Sequence, residues 1–113
     1  MTIHKMKLSA NPFEKIASGK KIIESRLYDE KRQLINIGDH IEFSRNDKPD
    51  EKVITIVKAF YRYATFEGLF SDFPSEYFGG NSKDELIKEI ETFYPKEEQK
   101  KYGVVGIKIE LVR

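Results

Sequence analysis

Three residues able to bind or catalyse fall within six positions of one another in the stretch GKKIIESR (residues 19–26): Lys21, Glu24 and Arg26. Their neighbours Ile22, Ile23 and Leu27 read as a strand, and a strand needs no charges for packing alone. Period two puts Glu24 and Arg26 on one face, close enough to interact. Lys21 begins the strand just past Gly19, where the chain turns out of a helix. An acceptor at 24, a forked guanidinium at 26 and a point charge at 21 would together bind a polar planar ligand. The same residues would also make an ion pair on a solvated strand face. Their spacing leaves both readings open.

The surrounding elements decide where such a group would sit. IHKMKLS (3–9) alternates, with His4, Met6 and Leu8 on one side, and reads as a first strand. NPFEKIASG (11–19) reads as a short helix. Asn11 is its expected N-cap, Pro12 its first residue, Glu14 the far half of a capping box and Gly19 its stop, with Phe13, Ile16 and Ala17 buried. The strand carrying the constellation follows at 20–28. A polar connection then leads to a turn at Gly38-Asp39 and a strand over 40–44.

After the polar turn RNDKPDE, a long strand is expected over 53–63. One face would hold Val53, Thr55, Val57, Ala59 and Tyr61, the other Ile54, Ile56, Lys58, Phe60 and Arg62. Apolar residues on both faces suit a strand curling around a small barrel. TFEGLF (65–70) reads as a short helix capped by Thr65, and SDFPSEYFGGN (71–81) as irregular. In SKDELIKEIETFYP (82–95), Ser82 and Glu85 form a capping box, Leu86, Ile90 and Phe93 a buried stripe, and Pro95 the stop. A further turn precedes a last strand in VVGIKIELV, with Val105, Ile107, Ile109 and Leu111 inward. The expected fold is α+β: a small β-barrel of about five strands with short helices between them.

The 113 residues suit one domain, 1–113, able to bury a core without staples. No cysteine is present, which removes disulfides and thiolate metal sites. With only His4 and His40 far apart in the chain, no metal site is expected. No signal-peptide core or membrane-length apolar run appears, so the expectation is a soluble, cytoplasmic domain. The net charge of +1 does not advertise nucleic-acid binding, but its distribution is uneven. Residues 1–32 carry eight Lys/Arg against four acids, and residues 64–95 seven acids against two lysines. Such polarity could leave one face basic. Neither a phosphate-binding glycine loop nor a nucleophile elbow is present, and no cofactor is expected.

HKMKL (4–8), PFEKIASGKKIIESRLYDEKR (12–32), IGDHIEF (37–43) and YPKEEQKKYGVVGIKIEL (94–111) together resemble the ASCH (activating signal cointegrator homology) domain family. The family's central Gly-x-Lys-x-x-Glu-x-Arg motif is matched by Gly19, Lys21, Glu24 and Arg26. The resemblance implies a PUA-like β-barrel with a cleft beside it, lined by that motif, and RNA or a modified nucleoside as partner. His4 matches the family pattern and could reach the cleft or simply be packed and hydrogen-bonded. Tyr28, Tyr61, Tyr63, Tyr77 and Phe78 could offer stacking faces to exposed bases, or belong to the core.

A branch of similar proteins hydrolyses N4-acetylcytidine with a lysine, a threonine and a glutamate. On that resemblance, Lys21 takes the lysine position, Glu24 stands where the branch has threonine, and Glu76 is the nearest candidate for the glutamate. The departure at 24 matters, because a lysine base must be neutral, and a carboxylate beside it favours the ammonium. A third reading is a protein-interaction module using the acidic, aromatic stretch 66–94.

Overall fold

The computed structural model describes residues 2–112. Five strands form one sheet: β1 (Ile3–Leu8), β2 (Ile23–Leu27), β3 (His40–Arg45), β4 (Lys52–Tyr63) and β5 (Val104–Leu111). Four short helices join them: α1 (Ala10–Ala17), α2 (Phe66–Ser71), α3 (Lys83–Glu91) and α4 (Lys96–Tyr102), with single 3₁₀ turns at Arg32–Leu34 and Ser75–Phe78. The strand order is β1-β3-β4-β5-β2. β1 runs parallel to β3, and the other neighbours are antiparallel.

β4 makes the sheet curl. Its first residues, Lys52–Ile56, pair with β3, while Thr55–Tyr63 pair with β5, so the strand passes from one neighbour to the other. A register shift between Val57 and Ala59 leaves Lys58 as an extra residue, and such a bulge sharpens the local twist. The shift also reverses the inward side. Val53 and Val57 pack with the first core, but beyond the bulge it is Phe60 that does so, while Tyr61 and Tyr63 pack with the second. The uninterrupted face expected from Val53 to Tyr61 is therefore broken at Lys58. The result is a five-stranded half-barrel whose end strands, β1 and β2, are not paired with each other.

Each face of the sheet has its own core. Met6, Leu8, Phe13, Ile16, Ile41, Phe43, Val57, Val105, Ile107 and Ile109 fill the concave side beneath α1. Ile23, Leu27, Phe66, Leu69, Phe70, Phe78, Leu86 and Val104 make the second cluster, which binds α2 and α3 to the outside. Each such burial contributes roughly 1.5–3 kcal/mol before entropic costs. The inward residues expected of β5 are those observed. Much of the aromatic content of 66–94 is thus core rather than surface.

The helix ends differ in how well local signals served. Thr65 caps α2 by accepting from Gly68 N–H, and Ser82 caps α3 by accepting from Glu85 N–H. Gly19 follows α1 at a positive φ of 81°, the left-handed stop its position suggested. The α1 start is different: Ser9 is the N-cap without a side-chain bond, and Asn11 lies inside the first turn. Glu14 makes no capping box, since with Ser9 as N-cap it lies past the N3 position, and it reaches Arg45 on β3 at 3.0 Å. α3 ends at Glu91, so Phe93 lies beyond it and is exposed rather than part of a buried stripe. No helix among the described residues is long and apolar enough to cross a membrane.

Candidate functional site in the open seam of the sheet

β2 hydrogen-bonds to β5 on one side only. Glu24 and Arg26 stand opposite Ile107 and Val105, on the face that carries the concave core. The polar pair therefore replaces hydrophobic packing at the last strand before the gap. Lys21 precedes β2 and is pinned by its own backbone, whose N–H donates to the Lys15 carbonyl at the end of α1. The next N–H, of Ile22, donates to the Tyr77 carbonyl in the later 3₁₀ turn.

Glu24 is shared between two cations. Lys21 Nζ lies 2.6 Å from Oε1, and Arg26 Nε donates to Oε2 at 2.7 Å. Glu24 is only 2% exposed, and the Lys21 and Arg26 side chains each keep 12% of their surface. Burial pushes the Glu24 carboxyl up, but Lys21 and Arg26 outweigh it and hold the group down at about 2. Burial works to lower the Arg26 pKa, while the Glu24 carboxylate and the Tyr94 side chain hold it above its ordinary value. One anion between two cations leaves the cluster with a net charge of +1.

Arg26 also reaches across the gap. Its Nη2 donates to the Lys7 carbonyl of β1 at 3.2 Å, so one side chain bridges the two unpaired end strands. Along this seam lies a cleft of about 240 Å³. Its lining includes Lys21, Glu24 and Arg26 together with Lys7 and Lys15, and Glu89 is its second acid. The rest of the lining is largely aromatic and aliphatic: Phe70, Phe78, Leu86, Ile90, Phe93 and Tyr94. Lys21 also borders a second hollow of about 440 Å³, whose other lining residues include only one ionisable group, Glu110. Convergent polar groups make the seam cleft the better ligand candidate.

Gly79 shapes the floor beside Lys21. Its φ is +79°, and a Cβ there would lie 3.1 Å from Lys15 and 3.2 Å from Lys21. Its carbonyl accepts a hydrogen bond from Lys15 Nζ. The pair of glycines in FGGN was the sequence signal for this close approach, although nothing local says what approaches. Lys15 and Tyr94 are further lining residues that strand and helix patterns alone did not single out, and Phe93, expected in a buried stripe, lines the cleft instead.

The remaining candidates lie elsewhere. His4 Nε2 is 2.8 Å from Asp39 Oδ2, and the same oxygen accepts the Asn36 N–H at 2.9 Å. The His4 bond first, then the Asn36 N–H, hold the Asp39 carboxyl below its ordinary range. His4 is thus tied to the turn before β3 and is not among the residues lining the cleft. Tyr28 packs beside the concave core under Arg62, whose guanidinium carbon is 3.9 Å from the ring centroid. It too is outside the cleft lining, as is Glu76, exposed on the 75–78 turn. Of the basic residues in the first 32 positions, Lys5, Lys20, Lys31 and Arg32 are not lining residues, and Arg32 pairs with Asp29 at 3.0 Å. Among the described residues, no group of three or more His, Cys, Asp or Glu side chains could hold a metal ion.

The family model for the ASCH domain matches residues 6–113. The crystal structure of hypothetical protein PH0355 is 38% identical and covers 98% of this chain and 100% of that one, with a TM-score of 0.87. The solution NMR structure of Protein PF0455 from Pyrococcus furiosus is 36% identical over 99% of both chains, with a TM-score of 0.76. ASCH from Zymomonas mobilis shares the fold at 13% identity, covering 96% of this chain and 67% of that one with a TM-score of 0.72. No curated protein matches. The half-barrel is thus a PUA-like barrel, and the chain belongs to the ASCH domain family.

Proposed function

We propose that the seam cleft binds an unpaired nucleobase, carried by RNA or by a modified nucleoside. The observation that carries this reading is the Lys21–Glu24–Arg26 cluster, with Glu24 buried, in a cleft whose lining is otherwise largely aromatic and aliphatic. A planar heterocycle has polar edges for the first and an apolar face for the second. At about 240 Å³ the cleft is below the roughly 300–1,000 Å³ of drug-sized sites, a scale that suits one base rather than a duplex. The excess of cations over acids along the lining favours a ligand that brings phosphate or carbonyl oxygens.

Deacylation of N4-acetylcytidine has less support. A carboxyl held at about 2 is a poor general base near neutrality, and both Glu24 oxygens are already engaged. Lys21 is paired with that carboxylate, and Glu76 is exposed outside the lining. Purified protein is expected to release no cytidine from N4-acetylcytidine above a buffer control.

The binding reading is tested by NMR chemical-shift mapping with cytidine, N4-acetylcytidine and short single-stranded RNAs. Shifts should concentrate on the amides of Lys21, Glu24, Arg26 and Gly79. With RNA, affinity should fall with salt along a shallow slope, since few phosphates would be contacted. Shifts confined to other faces, or none with any of these ligands, would discard the reading.

A further inference from the structure

We propose that Phe93 is the stacking platform of the cleft, the residue that selects an unpaired base over a paired one. This rests on the reading of the cleft as a nucleobase site. Phe93 is 71% exposed, yet it lines the same cleft as Lys21 and Arg26. Fully burying a phenylalanine would contribute roughly 1.5–3 kcal/mol, so one left in water forgoes that stabilisation. Its position is not a loose loop. The Phe93 and Tyr94 amides both donate to the Ile90 carbonyl, at 3.1 and 2.9 Å, and Pro95 at once caps α4. The neighbouring ring turns inward: Tyr94 stacks on Phe66 with centroids 5.8 Å apart and lies beside Arg26. Phe93 belongs to neither hydrophobic core and stacks on no other ring among the described residues.

An exposed, unpartnered ring lining the same small cleft as a net-positive polar cluster is complementary to a base whose face is free and which brings carbonyl or phosphate oxygens. Stacking reads any base by its π-face, so this contact selects strand state more than sequence. In a duplex the face is already covered, and such a ligand gains nothing from Phe93.

The test compares wild type with Phe93→Ala, Phe93→Leu and Phe93→Trp against cytidine monophosphate, a short single-stranded RNA and its matched duplex. Phe93→Ala should weaken single-strand binding on the order of 10- to 100-fold. Phe93→Leu, which keeps apolar area without a π-face, should recover only part, and Phe93→Trp should restore binding with quenching of its fluorescence. Melting temperatures should stay near wild type, because the ring is exposed. Wild-type protein that binds none of the three ligands overturns both this proposal and the reading beneath it. Wild-type binding that survives Phe93→Ala, or a duplex bound as well as the single strand, overturns the stacking role alone. A change of oligomeric state in Phe93→Ala at unchanged ligand affinity would assign the ring to a protein contact and equally overturn it.

Discussion

Arg26 on β2 donates to the Lys7 carbonyl on β1, joining the two end strands of a sheet that does not otherwise close. The guanidinium does this while holding Glu24 through Nε, so two of its donors are committed inside the protein. Ligand contacts at this end of the cleft therefore fall to its remaining donors and to Lys21.

Arg26→Ala should lower stability by about 3–5 kcal/mol, because it leaves Glu24 buried with one partner instead of two and opens the seam. Arg26→Lys should recover part of that loss, since it keeps the charge but not the fork that reaches both Glu24 and Lys7. Chemical denaturation of the three proteins checks the order. Equal midpoints for wild type and Arg26→Ala would mean that the bridge contributes nothing.

Glu24 should make the fold sensitive to strong acid. Its carboxyl is held down from 4.5 to about 2 in the folded protein, so the stabilisation is complete above roughly pH 4.5. It is lost as pH falls through the window from 4.5 to 2, and amounts to about 3 kcal/mol at 1.36 kcal/mol per pH unit. Glu24→Gln should be less stable than wild type at neutral pH, where Lys21 and Arg26 lose their shared anion, and should lack this part of the acid transition. Stability curves against pH for both proteins check it; parallel curves through that window would refute the assignment.

Gly79→Ala should cost about 1–2 kcal/mol from the left-handed backbone alone. The added methyl would also press on Lys15 and Lys21, at 3.1 and 3.2 Å. Chemical shifts of the Lys21 side chain should therefore move along with the melting temperature. An unmoved Lys21 would show that the glycine serves only the turn.

Ile107→Ala should destabilise by roughly 2–4 kcal/mol, since the side chain is fully buried in the concave core. Ile107 stands directly across from Glu24, so the double variant with Glu24→Gln should be non-additive. A simple sum of the two single effects in a double-mutant cycle would separate the polar cluster from the core.

Much of this protein follows from signals that act over a few residues. Period two alone placed Glu24 and Arg26 on one face, and their hydrogen bond at 2.7 Å follows from that spacing. The Thr65 and Ser82 caps and the Gly19 stop satisfy groups one turn away, so their residue types suffice to mark them. The inward alternation of Val105, Ile107 and Ile109 is likewise local.

What the tertiary structure alone decided depends on partners far away in the chain. Ser9 rather than Asn11 begins α1, which moves Glu14 past the capping position, and Glu14 pairs instead with Arg45, 31 residues on. His4 is held by Asp39 and Tyr28 lies under Arg62, contacts set by strand register and not by the residues' own periodicity. The bulge at Lys58 reverses which side of β4 faces inward, because one extra residue exchanges the two faces of a period-two strand. The curl of β4 from β3 to β5 leaves β1 and β2 as the unpaired ends of the half-barrel. There Lys7, Gly79 and Phe93, scattered through the sequence, meet the one charged stretch that the sequence had already marked.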